Sequence, residues 1–257
     1  MFADYEPERI IKRVFGVHPD QIAPTVLLAP AKSYVADLEA LLKNPQPFGT
    51  WFAGVSGYLE DDTYLTVLDN IRYAPGMADC VYFLQFAGVK NILYTGAIGG
   101  LAKGMEIGDF VLAKDCERGD GASGYFASLF ETACVCDELA EIVRPFLQSL
   151  AEEEGLEFFE GRIFTTDSLA AETLDFLTAL SVQSFLGIEM ETSALYTVAR
   201  CTGMNAVAAH VVSDLPLQGK SIFDDLKKKE KERRASAQSA ILRALSQAIK
   251  ALADTAE

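Results

Sequence analysis

The chain has 257 residues, half of them hydrophobic, with a formal net charge of −15 and a sequence pI near 4.6. That size fits one α/β domain or two small ones, and the acidic balance argues against nucleic acid or an anionic membrane surface as partner. No apolar run approaches a membrane span, and the first residues, Met1 to Glu6, are acidic and lack a signal-peptide core.

Taken in chain order, Thr25–Ala29 reads as a strand and Tyr34–Leu42 as a helix. Trp51–Tyr58 and Thr63–Leu68 read as strands separated by the acidic turn Glu60-Asp61-Asp62. Ala78–Phe86 has helical spacing. Asn91–Thr95 reads as a buried strand followed by a glycine-rich turn, Gly96-Ala97-Ile98-Gly99-Gly100, and Phe110–Lys114 as another buried strand. Leu139–Glu154 is a long amphipathic helix stopped by Gly155. Arg162–Thr166 is a strand, Glu172–Leu180 a helix, Glu191–Cys201 a helix and Ala206–Val212 a strand. The stretch Ile222–Leu252 reads as one long helix or two. Its basic run, Lys227–Arg234, is broken by Glu230 and Glu232 and reads as a solvated helix face. Ile241, Leu242, Leu245, Ile249 and Leu252 form its packing stripe. Strands alternating with helices indicate an α/β fold with a parallel or mixed sheet. No repeat, linker or boundary divides residues 1–257, which read as a single domain. Five cysteines without metal-ligand spacing, and histidines only at 18 and 210, predict no metal site and a reducing, cytoplasmic setting.

The segment richest in chemistry is Gly187-Ile188-Glu189-Met190-Glu191-Thr192-Ser193. Two carboxylates flank a methionine at the front of a helix, where the dipole tolerates negative charge. An ionised carboxylate accepts two hydrogen bonds side by side and so suits a vicinal diol. The plainer reading is an acidic first helical turn. Farther on, Val211-Val212-Ser213-Asp214 is an apolar strand ending in an acid, which could equally cap a turn before Pro216. His210, inside that strand, reads as core.

Together with Tyr94-Thr95-Gly96-Ala97-Ile98-Gly99-Gly100-Leu101 and Arg118-Gly119-Asp120-Gly121-Ala122-Ser123, these segments resemble the nucleoside phosphorylase superfamily. The likeness runs from about Thr25 to about Asp214 and spans purine nucleoside phosphorylases, uridine phosphorylases and methylthioadenosine/adenosylhomocysteine nucleosidases. It implies a single-domain three-layer α/β/α fold around a twisted mixed sheet and a homo-oligomer, whether dimer, trimer or hexamer. It also implies cleavage of the N-ribosidic bond of a small-molecule nucleoside. By resemblance Asp214 is the acid that protonates a purine leaving group, Glu191 holds the ribose hydroxyls, Met190 lines the sugar and Glu189 orders the site. Thr95, Gly96, Ala97, Leu169 and Ser213 complete the expected pocket, with Leu169 where relatives carry an aromatic residue. The Arg118–Ser123 segment receives no catalytic role.

The departures concern phosphate. The loop after the first strand, Ala29-Pro30-Ala31-Lys32-Ser33-Tyr34, lacks the usual glycine. Tyr34, Thr50 and Tyr94 stand where arginines are expected, and Ala97 replaces a donor. Lys32 compensates only as a point charge. Ala74-Pro75-Gly76-Met77-Ala78-Asp79 keeps one glycine of the usual Gly-Met-Gly turn, and Asp79 adds negative charge near the site. The expectation is a nucleosidase using water, without cofactor and with phosphate disfavoured as co-substrate. A variant phosphorylase and a non-catalytic nucleoside-binding protein are the alternatives.

Overall fold

The computed structural model describes residues 4–34, 42, 44–49, 56–59, 65–128 and 130–254. Ten strands form one mixed sheet: β1 (Thr25–Leu28), β2 (Gln46–Gly49), β3 (Ser56–Leu59), β4 (Thr66–Asp69), β5 (Asn91–Gly100), β6 (Phe110–Gly119), β7 (Ala133–Cys134), β8 (Phe158–Thr166), β9 (Gly187–Glu189) and β10 (Asn205–Asp214). The order is β10-β6-β8-β9-β5-β1-β4-β3-β2, and β10 also pairs with β5, so five strands close into a ring. The helices are α1 (Pro7–Val14), α2 (Tyr73–Leu84), α3 (Asp137–Glu154), α4 (Leu174–Val182), α5 (Thr192–Cys201) and α6 (Lys228–Asp254). Two helical pairs, α2 with α5 and α3 with α6, flank the sheet. The fold is therefore the expected α/β architecture.

Strands covered on both faces show continuous burial rather than alternation. All of β1 and β4 is buried, and so is β10 from Ala206 to Val212. The stripe Ile241, Leu242, Leu245 and Ile249 is buried on a single helix, α6, which packs on α3.

Several expectations are corrected. The glycine-rich segment is not a turn. It continues β5 to Gly100, where Gly99 pairs with Ile188 and Gly100 with Gly187. The close approach explains the composition: a Cβ on Gly187 would lie 2.6 Å from the Ile98 side chain and 2.8 Å from the Gly99 carbonyl oxygen. Ala74–Asp79 is not a turn either, because α2 begins at Tyr73 and contains it. Asp79 thus lies about 9 Å along a helix from its first residue, not at the helix mouth. Helix α1 was not foreseen, although Ile10, Ile11 and Val14 give it a buried face. Of the helix expected over Tyr34–Leu42, residues 35–41 lie outside the described residues, as do Thr50, 51–55 of the strand expected from Trp51, and the acidic turn at 60–62.

Candidate functional site

Glu191 follows β9 and Asp214 ends β10, strands that pair with β5 on opposite sides, and the charges of both act on Tyr34. Strand β9 ends at Glu189, and Glu191 is the residue immediately before α5. Helix α5 is held rigidly: Thr192 to Ala199 are all buried, and the Tyr196 hydroxyl donates to the Ala113 carbonyl at 2.7 Å and accepts from the Ala208 N–H at 2.9 Å.

Glu189 is enclosed and organises the front of that helix. One of its oxygens accepts from the N–H groups of Glu191 and Thr192 and from the Thr192 hydroxyl, each at 2.8 Å. The other accepts from the Thr165 hydroxyl. These donors include amides that a helix start leaves without intrahelical partners. Burial raises the Glu189 carboxyl above the usual range and the four donors oppose that rise. Because the Thr192 hydroxyl donates to Glu189, it accepts from His210 Nε2 at 3.1 Å. His210 is fully buried, and burial pushes it down to about 3, so it is a neutral core residue.

Glu191 has both carboxylate oxygens engaged. Oε1 accepts from the Tyr73 N–H at 2.7 Å and Oε2 from the Tyr94 hydroxyl at 3.1 Å. Burial, and then the charge of Glu189, raise the Glu191 carboxyl to about 7. Tyr94, at an expected arginine position, is thus turned onto the ribose-binding candidate. Its ring accounts for Gly96, where a Cβ would lie 2.8 Å from the Tyr94 hydroxyl.

Asp214 ends β10 opposite Gly99. A Cβ on Gly99 would lie 3.6 Å from an Asp214 carboxylate oxygen, in ordinary contact with it. Ser213 Oγ donates to Asp214 at 2.6 Å. Burial raises the Asp214 carboxyl, opposed by Ser213 and by the positive charge of Arg234. The Tyr34 hydroxyl is raised by burial and feels the charges of Arg234, Glu191 and Asp214.

Of the other expected residues, Met190 is half-buried between the acids, and Ala97 is half-buried on β5. Thr95 is buried with an Oγ1 that has no hydrogen-bond partner among the described residues. Leu169 is 41% exposed in the short turn Leu169–Ala171. Arg118 braces a loop instead, donating to Ser123 Oγ at 2.9 Å and to the Glu131 carbonyl at 3.2 Å. Asp120 ties that loop to Ser193 of α5.

Three site residues were missed. Glu172, half-buried before α4, is pushed up to about 7 by burial and by the charge of Asp214. Arg234, on α6, lowers the Asp214 carboxyl by its positive charge. Its neighbour Arg233 turns inward to pair with the fully buried Asp109 at 2.6 Å. Lys227, Lys229 and Arg233 also line a cavity of about 480 Å³. The basic run is therefore not simply a solvated face. Arg72, just before α2, donates from Nε to the Pro30 carbonyl at 3.1 Å. Among the described residues no group of three or more metal-ligating side chains forms, and no helix is long and apolar enough to cross a membrane.

Residues 53–249 match the model of the phosphorylase superfamily. A DeoD-type purine nucleoside phosphorylase from Brevibacillus brevis is 30% identical over 142 residues, 55% of this chain and 59% of the relative. A guanosine phosphorylase from Halorubrum lacusprofundi is 30% identical over 149 residues, 58% of this chain and 60% of the relative. The chain thus matches about 60% of the length of these relatives. Among solved structures, uridine phosphorylase from Vibrio fischeri superposes with a TM-score of 0.74 at 21% identity, covering 93% of this chain and 94% of that one. AMP nucleosidase from Bacteroides thetaiotaomicron gives a TM-score of 0.69 at 18% identity, covering 92% and 95%. At these identities the structural likeness is one of fold.

Proposed function

Because the chain belongs to the phosphorylase superfamily, we propose that it cleaves the N-ribosidic bond of a purine nucleoside and that water, not phosphate, takes the sugar. Purine is favoured by Asp214 and by the purine nucleoside and guanosine phosphorylases among its relatives.

Cleavage breaks the bond between the anomeric carbon and the base, and the electron pair leaves with the base. Asp214, raised by burial, donates a proton to the purine N7 and neutralises that developing charge. The positive charge of Arg234 then favours the carboxylate that remains. Glu191 grips the ribose hydroxyls, and the acids around the sugar favour positive charge on it. Water adds to the anomeric carbon and returns a proton to solvent.

The observation that carries the choice of water is the Tyr94–Glu191 hydrogen bond. Where a phosphate-binding arginine is expected, an uncharged ring fills the space and spends its donor on Glu191. Burying a phosphate dianion there without paired donors costs several kcal/mol. Screening purine nucleosides for base release tests the reading; no release from any of them, with or without phosphate, contradicts it. The proposal includes a homo-oligomer, favoured by the exposed rings of Tyr125 (91%), Phe130 (98%) and Phe223 (85%). Sedimentation of monomer alone at micromolar concentration contradicts that part.

A further inference from the structure

The cavity of about 480 Å³ lies where three segments meet: Gly104–Ile107 between β5 and β6, the turn after β10, and the front of α6. None of the acids Glu172, Glu189, Glu191 and Asp214 lines it. Its apolar part is Met105, Ile107 and Leu215, all buried. Met105 and Leu215 both lie close to Gly100, where a Cβ would sit 3.3 Å from the one side chain and 2.9 Å from the other. The turn is fixed by paired backbone hydrogen bonds. The Leu215 N–H donates to the Lys220 carbonyl at 2.7 Å, and the Lys220 N–H to the Leu215 carbonyl at 3.2 Å. These walls are therefore built and held without any occupant.

The polar part of the lining is positive. It carries two more cations than acids, in a chain whose formal charge is −15. Lys220 pairs with Glu230 at 2.8 Å, and the other Glu230 oxygen accepts from the Lys227 N–H at 2.9 Å. Arg233 is occupied inward. Its Nε donates to the Ile107 carbonyl at 3.0 Å, and Nη2 pairs with Asp109 at 2.6 Å and lies 3.7 Å from Glu106. Lys227 and Lys229 are exposed, and their ammonium groups pair with no carboxylate among the described residues. Two unanswered cations beside a cavity concentrate anions there.

The free donors decide what kind of anion fits. An exposed lysine contact is screened and weak by itself, so the ligand must bring several charges to both ammonium groups. The guanidinium fork of Arg233, which would suit a single carboxylate, is already engaged, and a lysine is a point charge that binds phosphate oxygens without a fixed fork. The volume falls within the roughly 300–1,000 Å³ of small-molecule sites. We propose that this cavity binds a phosphate chain, a di- or triphosphate group, with Lys227 and Lys229 as its cationic contacts.

Calorimetry at low ionic strength tests it, titrating inorganic tripolyphosphate, and separately citrate, into wild type, the double variant Lys227→Gln/Lys229→Gln, and Lys250→Gln. Lys250 is an exposed lysine near the far end of α6. Wild type and Lys250→Gln are expected to bind one tripolyphosphate per chain, and citrate more weakly. The double variant should lose on the order of 10-fold in affinity for tripolyphosphate. An amine-reactive label read by mass spectrometry places the ligand: tripolyphosphate should protect Lys227 and Lys229 and leave Lys250 reactive. No binding by wild type, unchanged affinity in the double variant, or an equal loss in Lys250→Gln overturns the proposal. A loss in the double variant without protection of either lysine also overturns it, since charge at a distance would then suffice. Citrate binding as tightly as tripolyphosphate overturns the assignment to a phosphate chain.

Discussion

The two ends of the cleft are built on different principles. At the sugar end, Glu189 accepts four hydrogen bonds and Glu191 two, from backbone and side chains that are themselves anchored. At the base end, Asp214 accepts one hydrogen bond, from the adjacent Ser213, and the charge of Arg234 acts on it, while its own charge raises Glu172. In the proposed cleavage the more heavily bonded end would hold the sugar, and Asp214, with its single hydrogen bond, would exchange the proton. On that proposal, binding and proton transfer would be divided along β5, between Gly96 and Gly99.

Substitutions should separate the two ends. Asp214→Asn should lower turnover by about 10²- to 10⁴-fold while largely sparing substrate affinity, measured as the split between kcat and KM. Equal turnover in the variant removes Asp214 as the acid. Glu189→Ala should leave several buried donors at the start of α5 without an acceptor and cost about 3 kcal/mol of stability. Denaturant unfolding measures that loss; a stability equal to wild type would mean that the network is dispensable.

Glu191→Gln should weaken sugar binding by about 1.5–3 kcal/mol, since a charge-assisted acceptor is lost. The same variant carries a pH signature. Glu191 titrates near 7 when folded against an ordinary value of 4.5, so its contribution to stability is full below about 4.5 and is lost as pH rises through about 7. Glu172 has the same sign and window. Melting temperature should therefore fall less steeply between those pH values in Glu191→Gln than in wild type; parallel curves would contradict the raised carboxyl. Tyr94→Phe is the smallest change. It should cost about 0.5–1.5 kcal/mol, read as weaker sugar binding. An unchanged affinity would mean that the hydroxyl contributes nothing to the grip.

The sugar end was the more legible in the sequence because Glu189, Met190 and Glu191 are contiguous, so one segment carries most of it. Asp214 was readable through resemblance, as the end of an apolar strand. Arg72, Glu172 and Arg234 were not, because each sits beside an ordinary helix start or on a charged helix and gains meaning only when distant loops meet. Local pattern also misread Gly96–Gly100. Glycine is poor in strands, so the segment resembles a turn. Here β9, β10 and the Tyr94 ring approach too closely for side chains, a fact that belongs to the pairing partners. The closure of β10 onto β5 was invisible for the same reason, since periodicity reports burial and not which strands are neighbours.

The central claim is that Tyr94 occupies the place of a phosphate-binding arginine and leaves the sugar to water. Its most direct test is the sugar product of base release, analysed with and without added inorganic phosphate. The account predicts a rate independent of phosphate and a sugar bearing a free anomeric hydroxyl; a sugar 1-phosphate formed in proportion to added phosphate would contradict it.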